Sequence, residues 1–273
     1  MVSSPSQPGQ DREGSGRFDL PGAVLGTAGL TALVYACSAA ASDGWTSGAI
    51  VTPLAASIVL LALFVLRESR AVQPLLPLRI VLNATRGGAY LVATLTVAGI
   101  FGAFLVLTYY LQQALHYTPL QAGLGFLPIT VGSQAGSWLI ARRLMPKVPP
   151  RALMAPGALM AAAGMALLTQ LHPGSGYFTL VLPAELLLGV GTSCVMVPAF
   201  SVGTLGVDRR DAGIAAATVT TAQQVGGSLG VALLNTILVA GYPAASASAA
   251  VILVCAALVA ALLVRAAPKA TTS

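Results

Sequence analysis

The chain has 273 residues, of which 56% are hydrophobic and only 8% charged, against about 25% charged in a soluble domain. A soluble chain so poor in charge would precipitate, so the composition excludes an ordinary water-soluble domain and makes lipid the solvent. The net charge of +6 alone would fit a nucleic-acid binder, but the placement of the basic residues excludes that reading.

Residues 1–16 are polar and expected to be disordered. Beyond them, runs long and apolar enough to cross a bilayer, about 20 residues each, predict eight transmembrane helices. They cover roughly 18–39, 49–66 (Pro53 marking its start), 87–112, 119–141, 152–171, 178–200, 212–239 and 246–264. The expected fold class is an all-α membrane protein.

The charges sort by gap. Arg12 and Arg17 precede the first span. Arg67, Arg70, Arg79 and Arg86 follow the second, and Arg142, Arg143, Lys147 and Arg151 follow the fourth. Arg209 and Arg210 follow the sixth, and Arg265 and Lys269 the eighth; together these are all 14 Lys and Arg. The gaps near Asp43, His116, His172 and Tyr242 hold none. Cytoplasmic loops collect Lys and Arg, so both termini are expected in the cytoplasm and the protein in the cell (inner) membrane. The basic residues are loop anchors, and no nucleic-acid partner is expected. One rival reading takes Arg12, Arg17, the first apolar run and "CSAAAS" at 37–42 as a signal peptide cleaved between Ala39 and Asp43. The length of that run favours a retained span.

Cys37, Cys194 and Cys255 sit in apolar runs without ligand spacing and read as small buried hydrophobes. His116 and His172 fall in outward loops and read as solvated, and Trp45 and Trp138 as interface anchors. There is no metal-ligand spacing, no nucleotide loop and no nucleophile with a positioned base, so no cofactor and no enzyme activity are expected.

The seventh span, "AGIAAATVTTAQQVGGSLGVALLNTI", is uncharged and rich in Gly, Ala and Thr. Membrane helices associate through small residues and interhelical hydrogen bonds, because greasiness alone gives no advantage in lipid. Gly226 and Gly230 form a G-x-x-x-G, repeated by Gly132 and Gly136 in the fourth span. Helical steps place Gly213, Ala217, Thr220, Gln224, Gly227 and Gly230 near one face, predicted to meet another helix with Thr220 and Gln224 as polar contacts. Packing alone explains Gln223 and Gln224 less well, since apolar residues desolvate at lower cost. Glu185 is the one carboxylate well inside a span. An acid at that depth is costly and by default a functional candidate, as a proton carrier or the counter-charge of a cation; the bland reading is an acid reaching the interface or held in a packing contact. In the third span Tyr90, Thr94, Phe101, Thr108 and Gln112 share a stripe suited to a cavity wall, although interfacial belts explain Tyr90, Tyr109 and Tyr110 equally well.

Four segments carry a resemblance. "FDLPGAVLGTAGLTALVYACSAAASDGWTS" (18–47), "QPLLPLRIVLN" (73–83), "YYLQQALHYTPLQAGLGFLP" (109–128) and the 212–237 stretch resemble the major facilitator superfamily, in its fourteen-span drug–proton antiporter branch. The basic turn "ARRLMPKVPPRAL" (141–153) is a loose version of the family's cytoplasmic loop. The resemblance implies a division into a polar tail (1–17), two central linker helices (18–66), a cytoplasmic loop (67–86), a C-terminal six-helix bundle (87–264) and a cytoplasmic tail (265–273). The bundle would be a three-plus-three inverted repeat. The first helix of each repeat would line the cavity, placing Glu185, Thr94 and Gln112 there; the second would pack near the domain interface, and the third outermost. The family's N-terminal six-helix bundle has no counterpart in this sequence. The chain would then be a mis-called start, a truncated product or one part of a split transporter, with a separate N-terminal half as partner. The implied activity is exchange of entering protons for amphipathic small molecules. The rivals are a non-transporting fragment or partner subunit, a transporter of another substrate, and a membrane enzyme. Candidate substrate or proton residues are Glu185, Thr94, Phe101, Gln112, Thr220 and Gln224; candidate packing residues are Gly132, Gly136, Gly226 and Gly230.

Overall fold

The computed structural model describes residues 20–43, 48–70, 83–172, 174–204, 207 and 212–264. The tail at 1–17, Trp45, most of the 67–86 loop, Arg209, Arg210 and the tail at 265–273 lie outside them, and so does the side chain of Cys37. All regular structure among the described residues is helical. The helices are α1 (Leu20–Asp43), α2 (Gly48–Glu68), α3 (Ala84–Tyr109), α4 (Pro119–Gly125), α5 (Leu127–Leu139), α6 (Pro150–Leu168), α7 (Leu182–Thr204), α8 (Ala212–Leu238) and α9 (Tyr242–Leu263). Single π-helical turns cover Tyr110–Ala114, Ile140–Leu144 and Tyr177–Val181.

Local chemistry accounts for several boundaries. Asn83 caps α3, its side-chain oxygen accepting from the Thr85 and Arg86 amides. Thr118 and Gln121 form a capping box at α4, with Pro119 at the first helical position, where its missing N–H costs nothing. Pro53 does not start α2 but lies inside it, where the expected boundary was misplaced. The fourth expected span is two helices, separated at Phe126 just ahead of Pro128.

Among the described residues, five helical stretches are long and apolar enough to cross a membrane: Ile50–Glu68, Ala84–Ala114, Pro150–Leu168, Tyr177–Thr204 and Tyr242–Leu263. Of the other three expected spans, α1 is described with its side chains continuously over the apolar stretch Pro21–Ala36. The α4–α5 rod is broken, and α8, although 27 residues long, carries glycines, threonines and glutamines that dilute its hydropathy.

The pairing of α3–α9 has a two-fold logic. Exchanging the triplet α3, α4–α5, α6 for the triplet α7, α8, α9 leaves the principal contacts unchanged. The α3–α8 contact maps onto α7–α5, and α3–α9 onto α7–α6, while α3–α7 and α6–α9 map onto themselves. The two triplets run in opposite directions, since Tyr90 near the start of α3 donates its hydroxyl to the Gly203 carbonyl at the end of α7 (3.0 Å). This is the contact pattern of an inverted repeat.

Small residues make these contacts close. A methyl added at Gly230 would meet the Ala98 Cα at 2.6 Å, and one at Gly226 would strike the Thr94 carbonyl. In the equivalent seam, methyls at Gly132 and Gly136 would meet Leu186–Val190 backbone and Ser193 of α7 at 3.0–3.4 Å. Two buried apolar clusters run through the bundle, one around Leu107, Tyr110, Met165 and Leu188, the other around Val92, Met154 and Val195. The outward faces are also apolar, as in Val251, Leu258 and Leu262 of α9, which suits helices facing lipid. Cys194 is half-buried, and Cys255 sits on that outward face of α9 rather than in the core, because the buried line of α9 runs through Leu253, Ala256 and Ala257. The pair α1–α2 packs mainly on itself, with α1 also touching α8.

Candidate functional site

Glu185 stands in the first turn of α7, eight residues after Tyr177, and is completely buried (0% exposed). Both flanks of this turn are held by close helix approaches. A Cβ at Gly164 of α6 would lie 2.8 Å from the Ala184 carbonyl, and one at Gly189 would lie 2.9 Å from the Ser133 amide of α5. The π turn at Tyr177–Val181 swings the Tyr177 ring back over the acid. Its hydroxyl lies 3.3 Å from Glu185 Oε2 and 2.7 Å from the Gly125 carbonyl at the end of α4. Glu185 Oε1 is buried without a hydrogen-bond partner. A buried carboxyl with one oxygen unpaired is costly unless it is protonated or meets a ligand.

The other sequence-nominated residues do not converge on this acid. Thr94 is half-buried in the α3–α8 seam, its hydroxyl within hydrogen-bonding distance of the Tyr90 carbonyl (3.0 Å) and the Ala222 carbonyl (3.1 Å). Tyr90 is buried, so the N-terminal half of the α3 stripe is a packing surface and not a cavity wall. The reason is the glycine at 226, which draws α8 onto this part of α3. Phe101 is 40% exposed and edge-on to Phe104. Gln112 is exposed in the π turn after α3. On α8 the predicted face divides. Gly227 and Gly230 are buried, but Gly213, Ala217, Thr220 and Gln224 are exposed, because the buried line runs instead through Ala215, Val219, Gly226 and Gly230. Gln223, not Gln224, turns inward, its amide 3.7 Å from the Met196 sulfur.

Sequence reading missed a groove of about 330 Å³ between α3, α5 and α7. Ile100 and Phe104 form one wall, Ile129, Thr130, Ser133 and Gln134 a second, and Gly189 and Thr192 the third. The Thr192 hydroxyl is buried without a partner, whereas the Ser193 hydroxyl donates to the Ser133 carbonyl at 2.7 Å. Phe104 packs on Phe126, with ring centroids 5.3 Å apart. Aromatic faces beside neutral hydroxyl and amide groups suit an amphipathic organic molecule. The signal is present in the sequence as Thr130, Ser133 and Gln134 at helical steps of three and four, on the same span as Gly132 and Gly136.

No cluster of three or more His, Cys, Asp or Glu fit to hold a metal occurs among the described residues. His172 is exposed, its ring nitrogen accepting from the Gly174 amide, and His116 is exposed with φ of 55°.

The sequence profile of the Major Facilitator Superfamily matches residues 21–231. The chain is 50% identical over 223 residues to the puromycin resistance protein pur8 of Streptomyces alboniger, covering 81% of this chain and 44% of that protein. It is 37% identical to the cephamycin export protein CmcT of Amycolatopsis lactamdurans, covering 85% of this chain and 49% of that one. It is 31% identical to the tetracenomycin C resistance and export protein of Streptomyces glaucescens, covering 81% and 41%. The chain therefore spans less than half the length of these curated relatives. The profile match over most of the chain, these relatives and the inverted helical repeat together make this multi-pass membrane protein a member of the Major Facilitator Superfamily.

Proposed function

We propose that this chain provides the C-terminal transport bundle of a proton-coupled exporter of drugs or other amphipathic small molecules in the cell membrane. Residues 87–264 form that bundle, 18–66 link it to the rest of the transporter, and both termini face the cytoplasm. Alternating access needs two bundles rocking about a midplane site, so export requires a second six-helix bundle, in the same polypeptide or as a partner subunit. The observation that carries the reading is Glu185, fully buried in an otherwise uncharged span with one carboxyl oxygen unpartnered. Such an acid is costly to keep for packing and suits a proton or an organic cation. The groove beside Phe104 and Gln134 takes the uncharged, aromatic part of the substrate. The export and resistance relatives support this substrate class.

The test is proton-driven efflux in inverted vesicles, with an N-terminal bundle co-expressed. Glu185→Gln keeps size and removes charge. It is expected to lower export of a cationic dye at least tenfold, the effect of about 1.4 kcal/mol, while sparing a neutral compound. Normal cationic efflux with normal pH dependence would make Glu185 structural.

A further inference from the structure

We propose that Tyr177 is a positioning residue that couples the charge of Glu185 to the α4–α5 junction and, through it, to the wall of the groove. The inference rests on the reading above only in taking Glu185 as a group that gains and loses a proton.

The Tyr177 hydroxyl has one hydrogen and two acceptors, the Glu185 carboxyl at 3.3 Å and the Gly125 carbonyl at 2.7 Å. A carboxylate only accepts hydrogen bonds, whereas a carboxylic acid also donates one. With Glu185 ionised, the tyrosine hydrogen turns to Oε2, because hydrogen bonds to charged acceptors are the stronger. The Gly125 carbonyl then loses this donor. With Glu185 protonated, the acid donates to the tyrosine oxygen, and the tyrosine donates to Gly125. No proton leaves the tyrosine in either state; its one O–H turns from Glu185 to the Gly125 carbonyl when the carboxyl takes up the proton that it then donates to the tyrosine oxygen. The hydroxyl therefore has two discrete settings selected by one charge, which is what coupling between sites requires.

Gly125 is the last residue of α4, immediately before the break at Phe126. That junction is the one place where the rod lacks a continuous helix, so a lost tether there is felt as movement of α4 against α5. Phe126 carries the movement onward, since its ring packs on Phe104, which lines the groove. Among the described residues, Tyr117, on the loop before α4, is a further titratable group near this pair. Within the elements packed on α7, Arg86, Arg142, Arg143 and Arg151 are the charged residues. All belong to segments that meet the opposite end of α7, as the Tyr90–Gly203, Gly136–Ser193 and Gly157–Cys194 contacts show. The charge that selects the setting is thus that of Glu185.

The test uses spin labels at Leu120 on α4 and Val251 on α9, both exposed, in a cysteine-free full chain co-expressed with an N-terminal bundle. The distance distribution is expected to shift between acidic and alkaline pH. Glu185→Gln should be held at the acidic distribution, and Tyr177→Phe should lose the pH response. Carbodiimide labelling of Glu185 should continue in Tyr177→Phe, with a displaced pH profile. An unchanged pH response in Tyr177→Phe, or a wild-type distance indifferent to pH, overturns the coupling. Should Tyr177→Phe fail to fold, a Glu185→Gln distribution that still follows pH overturns it equally. The two readings separate cleanly. A pH-responsive distance with normal cationic efflux in Glu185→Gln defeats the exporter reading alone, and impaired efflux without any distance response defeats the coupling alone.

Discussion

Gly226 of α8 lies against the backbone carbonyl of Thr94 in α3, leaving no room for a methyl group between two helices more than 120 residues apart in sequence. The pseudo-two-fold partner of this contact is Gly132 of α5 against the Leu186 carbonyl of α7. In lipid, where apolar surface gains nothing by leaving one helix for another, backbone proximity of this kind is what holds helices together.

Gly226→Ala is therefore expected to destabilise the bundle by about 2 kcal/mol, within the range for overpacking. Gly213→Ala on the same helix, where nothing lies within 4 Å of the added methyl, should be neutral or slightly stabilising. Thermal unfolding in detergent of the two variants checks the contrast. Equal midpoints would place the α3–α8 seam further apart than described.

Tyr110 is fully buried, and its hydroxyl approaches the Ser175 carbonyl at 2.7 Å and the His172 carbonyl at 3.1 Å. It ties the end of α3 to the connection entering α7. Tyr110→Phe should cost about 1 kcal/mol, the usual net worth of such a hydrogen bond, and raise amide exchange at residues 171–176. Protection equal to wild type there would show that the tether is redundant.

Cysteine scanning tests the topology implied by the charge sorting. A membrane-impermeant maleimide added to whole cells should label His172→Cys and Val239→Cys, and should not reach Lys147→Cys until the membrane is opened. All three side chains are exposed, so burial does not confound the outcome. Labelling at position 147 in intact cells would invert the orientation.

Phe104→Ala and Gln134→Ala remove an aromatic face and an amide from the groove without touching Glu185. Each is expected to raise the KM for export of an aromatic substrate severalfold, since one lost contact is worth about 1 kcal/mol. The pH dependence should stay as in wild type. A pure loss of turnover at constant KM would point to a role in conformational change instead.

The sequence by itself determined the solvent, the class and the grammar of this protein. Scarce charge and long apolar runs require a membrane, and helices satisfy every backbone group there without a neighbour. The segments quoted above carried the family. Spacing alone marked Gly132, Gly136, Gly226 and Gly230 as small-residue pairs, and depth alone marked Glu185. Which helix each pair would meet was decided only by the tertiary structure. Periodicity describes the faces of one helix and is silent about its partner, so Thr94 read as a cavity-wall residue when it lies in the seam under Gly226. The exposed positions of Thr220 and Gln224 were hidden for the same reason, because the buried line of α8 runs through Ala215, Val219, Gly226 and Gly230. The Tyr177–Glu185–Gly125 arrangement and the groove at Phe104 join three separate helical segments each. Contacts of that kind exist only once backbone approach in lipid has fixed which segments are neighbours.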